Sequence, residues 1–359
     1  LIADLYEDTE KCASVAGLVY ITGDEPGISR RQHGRGFGYR DANGRPVSDA
    51  AKARIKDLVI PPAWRNVWIC PNEDGHIVAM GEDDRGRKQY IYHERWRDLR
   101  DQLNFYRLIA FGEHLSEIRR HVASQLRRRT LDRDQVLAVM IRIIDTSGIR
   151  IGSEVYAEEN DTFGLSTLTR RHITVGRERL VLSFPSKSGH QAEVTLHDRP
   201  VARVVGRLAQ HRARRLFTIG RHQIDAADVN ECLEQITGEH ITAKDFRTWR
   251  GTLAAFAHLE RVQNTAADPE PQLVAAADAA AEALDNTRAV ARAHYIHPHV
   301  LEAFAAGTFV ERVRAGGGRR HEGLTASERR LLTFLVAALE SGVDTGALGL
   351  CSPSSTKDA

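Results

Sequence analysis

Tyr295 lies within DNTRAVARAHYIHP, residues 285–298, three residues before Pro298. A tyrosine is a poor nucleophile at neutral pH, because a pKa near 10 leaves only about 0.1% as phenolate. It becomes reactive where cationic groups stabilise the developing anion and whatever it attacks. Side chains of that kind recur along the chain. Arg150 sits in GIRIGSEVYAEENDTFGLSTL, Lys187 in FPSKSG, Arg247 in ITAKDFRTWRGTLAAF one turn after Lys244, and Asn286 nine residues before the tyrosine. Attack on a nucleic-acid phosphodiester concentrates negative charge on the non-bridging oxygens, which two arginines can clamp and an asparagine amide can bond. The departing 5′-oxygen needs a proton from a general acid, which a mobile lysine can supply. Singly, each of these residues is also an ordinary surface or capping residue; together they define a site.

Metal chemistry fits less well. His294, His297 and His299 have the spacing of a metal triad, but Pro298 interrupts the helix that would align them. The expected site is cationic, with neither a metal nor a cofactor. GRGFG, residues 34–38, has the glycines of a dinucleotide loop, but no apolar βαβ unit follows it.

The elements that must position these residues fall into two kinds. Residues 1–95 read as a small β-rich domain. GLVYIT alternates weakly, RQHGRGFGYRDANGRPV reads as two strands joined around Asn43-Gly44, and NVWIC, HIVAMG and KQYIYH are further strands, with a short helix at 48–58. In RKQYIY, alternation puts Gln89 with Ile91 on one face and Tyr90 with Tyr92 on the other. Two tyrosines beside Arg87 and Lys88 can stack on or bond a nucleic-acid backbone.

From about Glu94 the apolar period changes from two to 3.6, and residues 96–359 read as a mainly helical domain. A three-stranded β insertion near 172–196, RHITV, RLVLSF and QAEVTL, places Lys187 at a hairpin tip. Helices follow at about 199–210, at 225–236 with Asp225 as cap and Gly238 as stop, at 243–260, through PEPQLVAAADAAAEALD and through HPHVLEAFAAG. After the glycine-rich AGGGRRHEG, TASE opens a last helix by the capping-box pattern, and the tail CSPSSTKDA reads as disordered. The fold class is therefore α+β.

Composition narrows the setting. The 359 residues exceed one typical domain, and no apolar run approaches the roughly 18 residues a membrane span needs. Fifty basic residues nearly cancel 48 acidic ones, for a net charge of +2, yet arginines cluster at 119–129 and 203–215. Such clusters suit phosphate as well as a solvated helix face. Cys12, Cys70, Cys232 and Cys351 are scattered, which suits a reducing compartment and excludes a zinc ribbon. The acidic start LIADLYEDTEK is unlike a signal peptide. The expected setting is cytoplasmic.

GRKQYIYHERW, IRIGSEVYAEENDTFGLSTL, FPSKSG, ITAKDFRTWRGT and NTRAVARAHYIHP, in this order, resemble the motifs of the type IB DNA topoisomerases in their compact poxvirus-like bacterial form. The resemblance covers nearly the whole chain. It implies that Tyr295 is the nucleophile, that Arg150 and Arg247 clamp the scissile phosphate, that Lys187 is the general acid, and that Asn286 bonds a non-bridging oxygen. Gln89, Tyr90 and Tyr92 match DNA-contacting positions of the β-rich domain, and Tyr156 one of the catalytic domain. The implied fold is a C-shaped clamp whose catalytic domain shares its architecture with tyrosine recombinases. The implied activity is relaxation of supercoiled duplex DNA through a 3′-phosphotyrosyl intermediate, strand rotation and religation, by a nucleoid-associated monomer without ATP or metal. Ser153 and Val155 replace lysines of the poxvirus enzymes, so sequence-specific cleavage does not carry over, and Arg288 and Ala291 depart from the commoner bacterial wording.

Two rival readings remain open on residues alone. A tyrosine recombinase would carry histidine where Lys244 stands and a helical N-terminal domain. A non-catalytic DNA-binding protein would have no use for all five catalytic residue types.

Overall fold

The computed structural model describes residues 5, 8–34, 36–187, 190–211, 213–262, 268–315 and 322–342. The link residues 316–321 and the tail CSPSSTKDA lie outside them. Contacts divide the chain into one unit that runs to Asn104 and a second that spans Phe105–Val343.

The first unit is built on a five-stranded antiparallel sheet. Its elements are helix α1 (Thr9–Val15), strands β1 (Ile28–His33) and β2 (Gly36–Arg40), helix α2 (Asp49–Asp57), and strands β3 (Arg65–Ile69), β4 (Ile77–Glu82) and β5 (Lys88–Tyr92). The strand order is β2-β1-β3-β4-β5. Ile28, Val67, Ile69 and Ala79 bury one face of the sheet against Ile55 of α2, and burying each of the branched side chains contributes about 1.5–3 kcal/mol.

Two expectations need correction. The hairpin turns at Gly34, with His33 opposite Gly36, and not at Asn43-Gly44. The chain does reverse at Asn43-Gly44, but only one bridge, Arg40 with Pro46, closes it. Proline has no N–H to extend a ladder there. GLVYIT forms no strand either; it is held by a single parallel bridge between Val19 and Gly75.

Helix α3 (Glu94–Arg127) begins where the periodicity changes and continues into the second unit as one unbroken run. There follow α4 (Arg133–Ser147), α5 (Glu154–Asn160), a sheet of β6 (Ile173–Val175), β7 (Arg179–Pro185) and β8 (Gln191–His197), then α6 (Arg199–Leu208), a two-residue hairpin β9 (Thr218–Ile219) and β10 (His222–Gln223), and α7 (Ala226–Thr237). The chain completes the unit with α8 (Ala243–Val262), α9 (Glu270–Leu284), α10 (Arg288–His294), α11 (Pro298–Ala305), α12 (Phe309–Ala315) and α13 (Ala326–Gly342). The alternation read from sequence gives β6-β7-β8 in that order.

Helix α4 is the centre of the core: every residue from Gln135 to Ile141 is buried, as expected of a helix apolar on all sides. Within that run Gln135 donates to the carbonyls of Gln125 and Arg128 at 3.1 and 2.7 Å and so ends α3. Alanines 276, 277, 280 and 281 keep α9 thin on its buried side, which lets it approach α8 closely.

Helix α13 joins this core rather than standing apart. Leu331, Leu332, Phe334 and Leu335 are buried, and Phe334 meets Phe256 and Phe309 with centroids 5.5 and 5.3 Å away. Its capping box is formed: Thr325 N–H donates to Glu328, and Glu328 N–H to the Thr325 hydroxyl. Glu328 also accepts from Arg119, which bonds both oxygens of Asp145 in α4 at 2.8 and 2.9 Å. One guanidinium thus neutralises two buried carboxylates. Arg119→Met should lower the unfolding free energy by about 3 kcal/mol in urea titrations, since both carboxylates lose their counter-charge. A loss below about 1 kcal/mol would show that the network is peripheral to stability.

Candidate active site

Arg247 is the most unusual residue of the second unit: a guanidinium only 4% exposed, with no carboxylate among its described contacts. It donates instead to the carbonyl of Gly148, which caps α4, and at 3.2 Å to that of Leu284, the last residue of α9. Helix C-termini carry partial negative charge, so two of them offset part of the cost of burying a cation. One turn on, Arg250 repeats the pattern, donating to Ala283 and Thr146 carbonyls at 3.0 and 2.9 Å. The pair ties the ends of α4 and α9 to α8.

Tyr295 completes this arrangement. Its ring lies under the Arg247 guanidinium, 4.9 Å from ring centroid to carbon. The residue closes α10 with φ −133° and ψ 1°, its N–H donating to the Ala291 carbonyl at 3.0 Å. Thr252, fully buried, holds the backbone on both sides: its hydroxyl donates to the Tyr295 carbonyl at 3.2 Å and accepts from the His297 N–H at 3.0 Å. Gly251 makes the approach possible, because a Cβ there would come within 2.6 Å of the Tyr295 carbonyl oxygen. Burial pushes the phenol pKa up, but Arg247 foremost, with Arg150 and Lys244, outweighs it, and the net shift is below the ordinary tyrosine value.

Arg150 and Asn286 join from two loops. Arg150 donates to the Asn286 side-chain oxygen. Asp285 ends α9 in the left-handed region (φ 50°), and the Asn286 N–H reaches back to the Ala281 carbonyl at 3.0 Å, which aims the amide. The Arg150 loop is pinned from behind. Leu165 N–H donates to the Arg150 carbonyl at 2.9 Å, and Gly152 and Gly164 pack backbone against backbone, where a Cβ on Gly164 would lie 2.5 Å from Gly152. The Asn286 Nδ2 and Arg247 Nε atoms are buried without hydrogen-bond partners. Unpaired buried donors are costly, and one of these two belongs to the guanidinium that lies over the phenol, the other to the amide that accepts from Arg150.

Lys187 stands exposed in the turn between β7 and β8, as the hairpin reading expects. Its neighbour Ser186 lines the same open cleft of about 730 Å³ as Arg150 and Arg247. His297 is buried, and desolvation, aided by His299, pushes its imidazole down to about 3, so it is neutral. Its ring lies 5.3 Å from that of His299. Among the described residues no three His, Cys, Asp or Glu side chains converge to hold a metal.

In the first unit, Tyr90 and Tyr92 stack with centroids 6.0 Å apart and stay 42% and 36% exposed. Gln89 points the other way and donates to Asp83 at 3.0 Å. Tyr156 falls in α5, and its side chain is outside the described residues. The two departures in the tyrosine segment are accommodated: Arg288 pairs with Asp278 at 2.8 Å, and Ala291 is fully buried. Gly251 and Thr252 escaped sequence reasoning, although a glycine inside a helical pattern signals a close approach.

The family described as eukaryotic DNA topoisomerase I, catalytic core, matches residues 93–308, more than half of the chain. The family described as bacterial DNA topoisomerase IB, N-terminal domain, matches residues 36–83. A DNA topoisomerase 1B of Acanthamoeba polyphaga mimivirus is 27% identical over 293 residues, covering 77% of this chain and 87% of the viral protein. DNA topoisomerase 1B of vaccinia virus (strain Copenhagen) is 24% identical over 243 residues, 66% of this chain and 74% of its own. Among the described residues, no helix is long and apolar enough to cross a membrane.

If Arg247 depresses the phenol pKa, Arg247→Gln should move the Tyr295 titration to higher pH. The measurement is phenolate absorbance against pH, with a Tyr295→Phe variant subtracted to isolate this ring. An unmoved midpoint would assign the shift to Arg150 and Lys244 alone.

Proposed function

The chain belongs to the type IB DNA topoisomerase family, and from that premise we propose that it relaxes supercoiled duplex DNA by breaking and resealing one strand through Tyr295. The phenol oxygen attacks a backbone phosphorus, and a tyrosyl ester to the 3′-phosphate replaces the bond to the 5′-oxygen. The released strand end rotates about the intact strand. Its 5′-hydroxyl then attacks the phosphotyrosyl bond and restores both the DNA and the phenol. One phosphate ester replaces another at similar energy, so the cycle requires neither ATP nor a metal.

One observation carries this reading: a guanidinium that is buried with no ion-paired carboxylate among the described residues, Asp285 acting on it only from a longer range, lies against a tyrosine whose pKa is depressed. A structural arginine at that depth would be expected to carry a counter-ion. A phosphate would supply the missing negative charge and accept from the unpaired Arg247 Nε and Asn286 Nδ2. In the proposed roles Arg150 and Arg247 clamp the non-bridging oxygens, which gain charge as the phosphorus becomes five-coordinate, and Asn286 bonds one of them. Lys187, on its hairpin tip, protonates the departing 5′-oxygen. Gln89, Tyr90, Tyr92 and Tyr156 contact the duplex, and the enzyme acts as a monomer.

Tyr295→Phe should abolish covalent capture of DNA in denaturant while leaving non-covalent binding intact; relaxation of plasmid by that variant would mean a different nucleophile. Lys187→Ala should slow cleavage by about 10²–10⁴-fold, the usual contribution of a general acid. Replacing the leaving 5′-oxygen by sulfur, which departs without a proton, should restore the rate. A variant equally slow on both substrates would rule out proton donation by Lys187.

A further inference from the structure

The aromatic row of the first unit runs beyond Tyr90 and Tyr92 of β5, to residues that the proposed function does not use. Tyr20 stacks on His76 with centroids 4.9 Å apart and planes at 10°. His76 meets Trp96 edge-on at 4.7 Å and Tyr92 at 6.3 Å, and Tyr92 stacks on Tyr90. His76 is only 2% exposed, whereas Tyr20 remains 40% exposed, much like Tyr90 and Tyr92. A purely structural ring would be covered. Yet the backbone carrying Tyr20 is held at three points: Val19 N–H donates to the Asp74 carbonyl at 2.8 Å, His76 N–H to the Val19 carbonyl at 2.9 Å, and Ile21 N–H to His76 Nδ1 at 3.0 Å. The last bond requires an unprotonated Nδ1, and burial, which holds the imidazole below its ordinary pKa, agrees.

What the row presents outward decides its ligand. Tyr92 lies stacked between Tyr90 and Trp96, and His76 covers one face of Tyr20 and Tyr92 one face of Tyr90, so few open ring faces remain for a base to stack on. None of the described hydrogen bonds uses the hydroxyls of Tyr20, Tyr90 or Tyr92. Lys88 is exposed on the same face of β5 as Tyr90 and Tyr92, and Arg100 lies over Trp96 at 5.9 Å. Among the nearby carboxylates, Asp83 is engaged by Arg87 and Gln89, Asp74 by Arg95, and Glu25, which acts on His76, accepts from the Thr22 and Gly23 N–H groups. A row of phenol donors beside cations fits phosphate oxygens along a backbone better than unstacked bases, which need free ring faces.

We propose that Tyr20, Tyr90 and Tyr92 form one hydroxyl-bearing strip that binds the sugar–phosphate backbone of duplex DNA, with His76 as the positioning residue that sets Tyr20. The inference rests on the reading of this chain as an enzyme acting on duplex DNA. It extends the contact surface to a segment far from β5 in sequence.

The test is equilibrium binding of the full chain to a labelled duplex and to a single strand of equal length, alongside plasmid relaxation. Tyr20→Phe keeps the ring stack and removes only the hydroxyl. It should weaken duplex binding about tenfold, the scale of one hydrogen bond to a charged group, and equally for unrelated sequences. The slope of log affinity against log salt should not change, because no charge is removed. His76→Asn keeps an acceptor for Ile21 but removes the supporting ring. It should weaken duplex binding alone and add nothing in the Tyr20→Phe background, a coupling that general loss of stability would not produce. Full duplex affinity of Tyr20→Phe, a loss confined to the single strand, or additive losses with His76→Asn would each overturn the proposal, while relaxation by the unaltered chain would leave the functional reading standing. An unaltered chain that neither binds nor relaxes DNA would overturn both.

Discussion

A guanidinium buried with no ion-paired carboxylate among the described residues is expensive, and the second unit is arranged around keeping one in place. Arg247 sits where the C-termini of α4 and α9 meet α8, so the negative ends of two helix dipoles face it. Those dipoles offset burial only in part. The remaining imbalance keeps the site receptive to an anion and acts on the nearest titratable group, the phenol of Tyr295. The same cation is the largest favourable influence on the tyrosine's acidity, with Arg150 and Lys244 beside it, and in the proposed function it is also what meets the phosphate.

Geometry around that cation comes from backbone more than from side chains. Gly148, Gly152, Gly164 and Gly251 stand where a Cβ would strike a neighbour, and they let the Arg150 loop and the Tyr295 turn close in. Asp285 accepts a left-handed conformation that costs a non-glycine residue about 1 kcal/mol, and in exchange Asn286 faces Arg150. Sites of this kind concentrate local strain, which the surrounding core must hold. The buried middle of α4 and the close pair α8 and α9 provide that support.

Much of this was legible in the sequence, for identifiable reasons. Period changes are strong signals in long elements, so the switch at Glu94, the sheet around Lys187 and the caps Asp225 and Gly238 were readable. Tyr295, Arg150, Arg247 and Asn286 could be singled out by residue type, and the fold brings these four together. Turn chemistry misled at Asn43-Gly44, because a favoured turn pair cannot extend a hairpin beyond Pro46. Gly251, Thr252 and the Arg119 network were invisible because their meaning lies in partners distant along the chain. Tyr20 was hidden for the same reason: its importance comes from His76, 56 positions later in the chain.

The double grip of Thr252 on the chain around Tyr295 also has a mechanical meaning. A polymer tethered to this phenol would pull on a short helix end, and a frayed end yields easily under load. Here the pull passes at once through the Thr252 hydroxyl into the middle of the 20-residue helix α8. From there it spreads into the interior of the unit. In the proposed function, a phenol mounted in this way would be an anchor that bears the torque of a spinning strand without being drawn away from its cation.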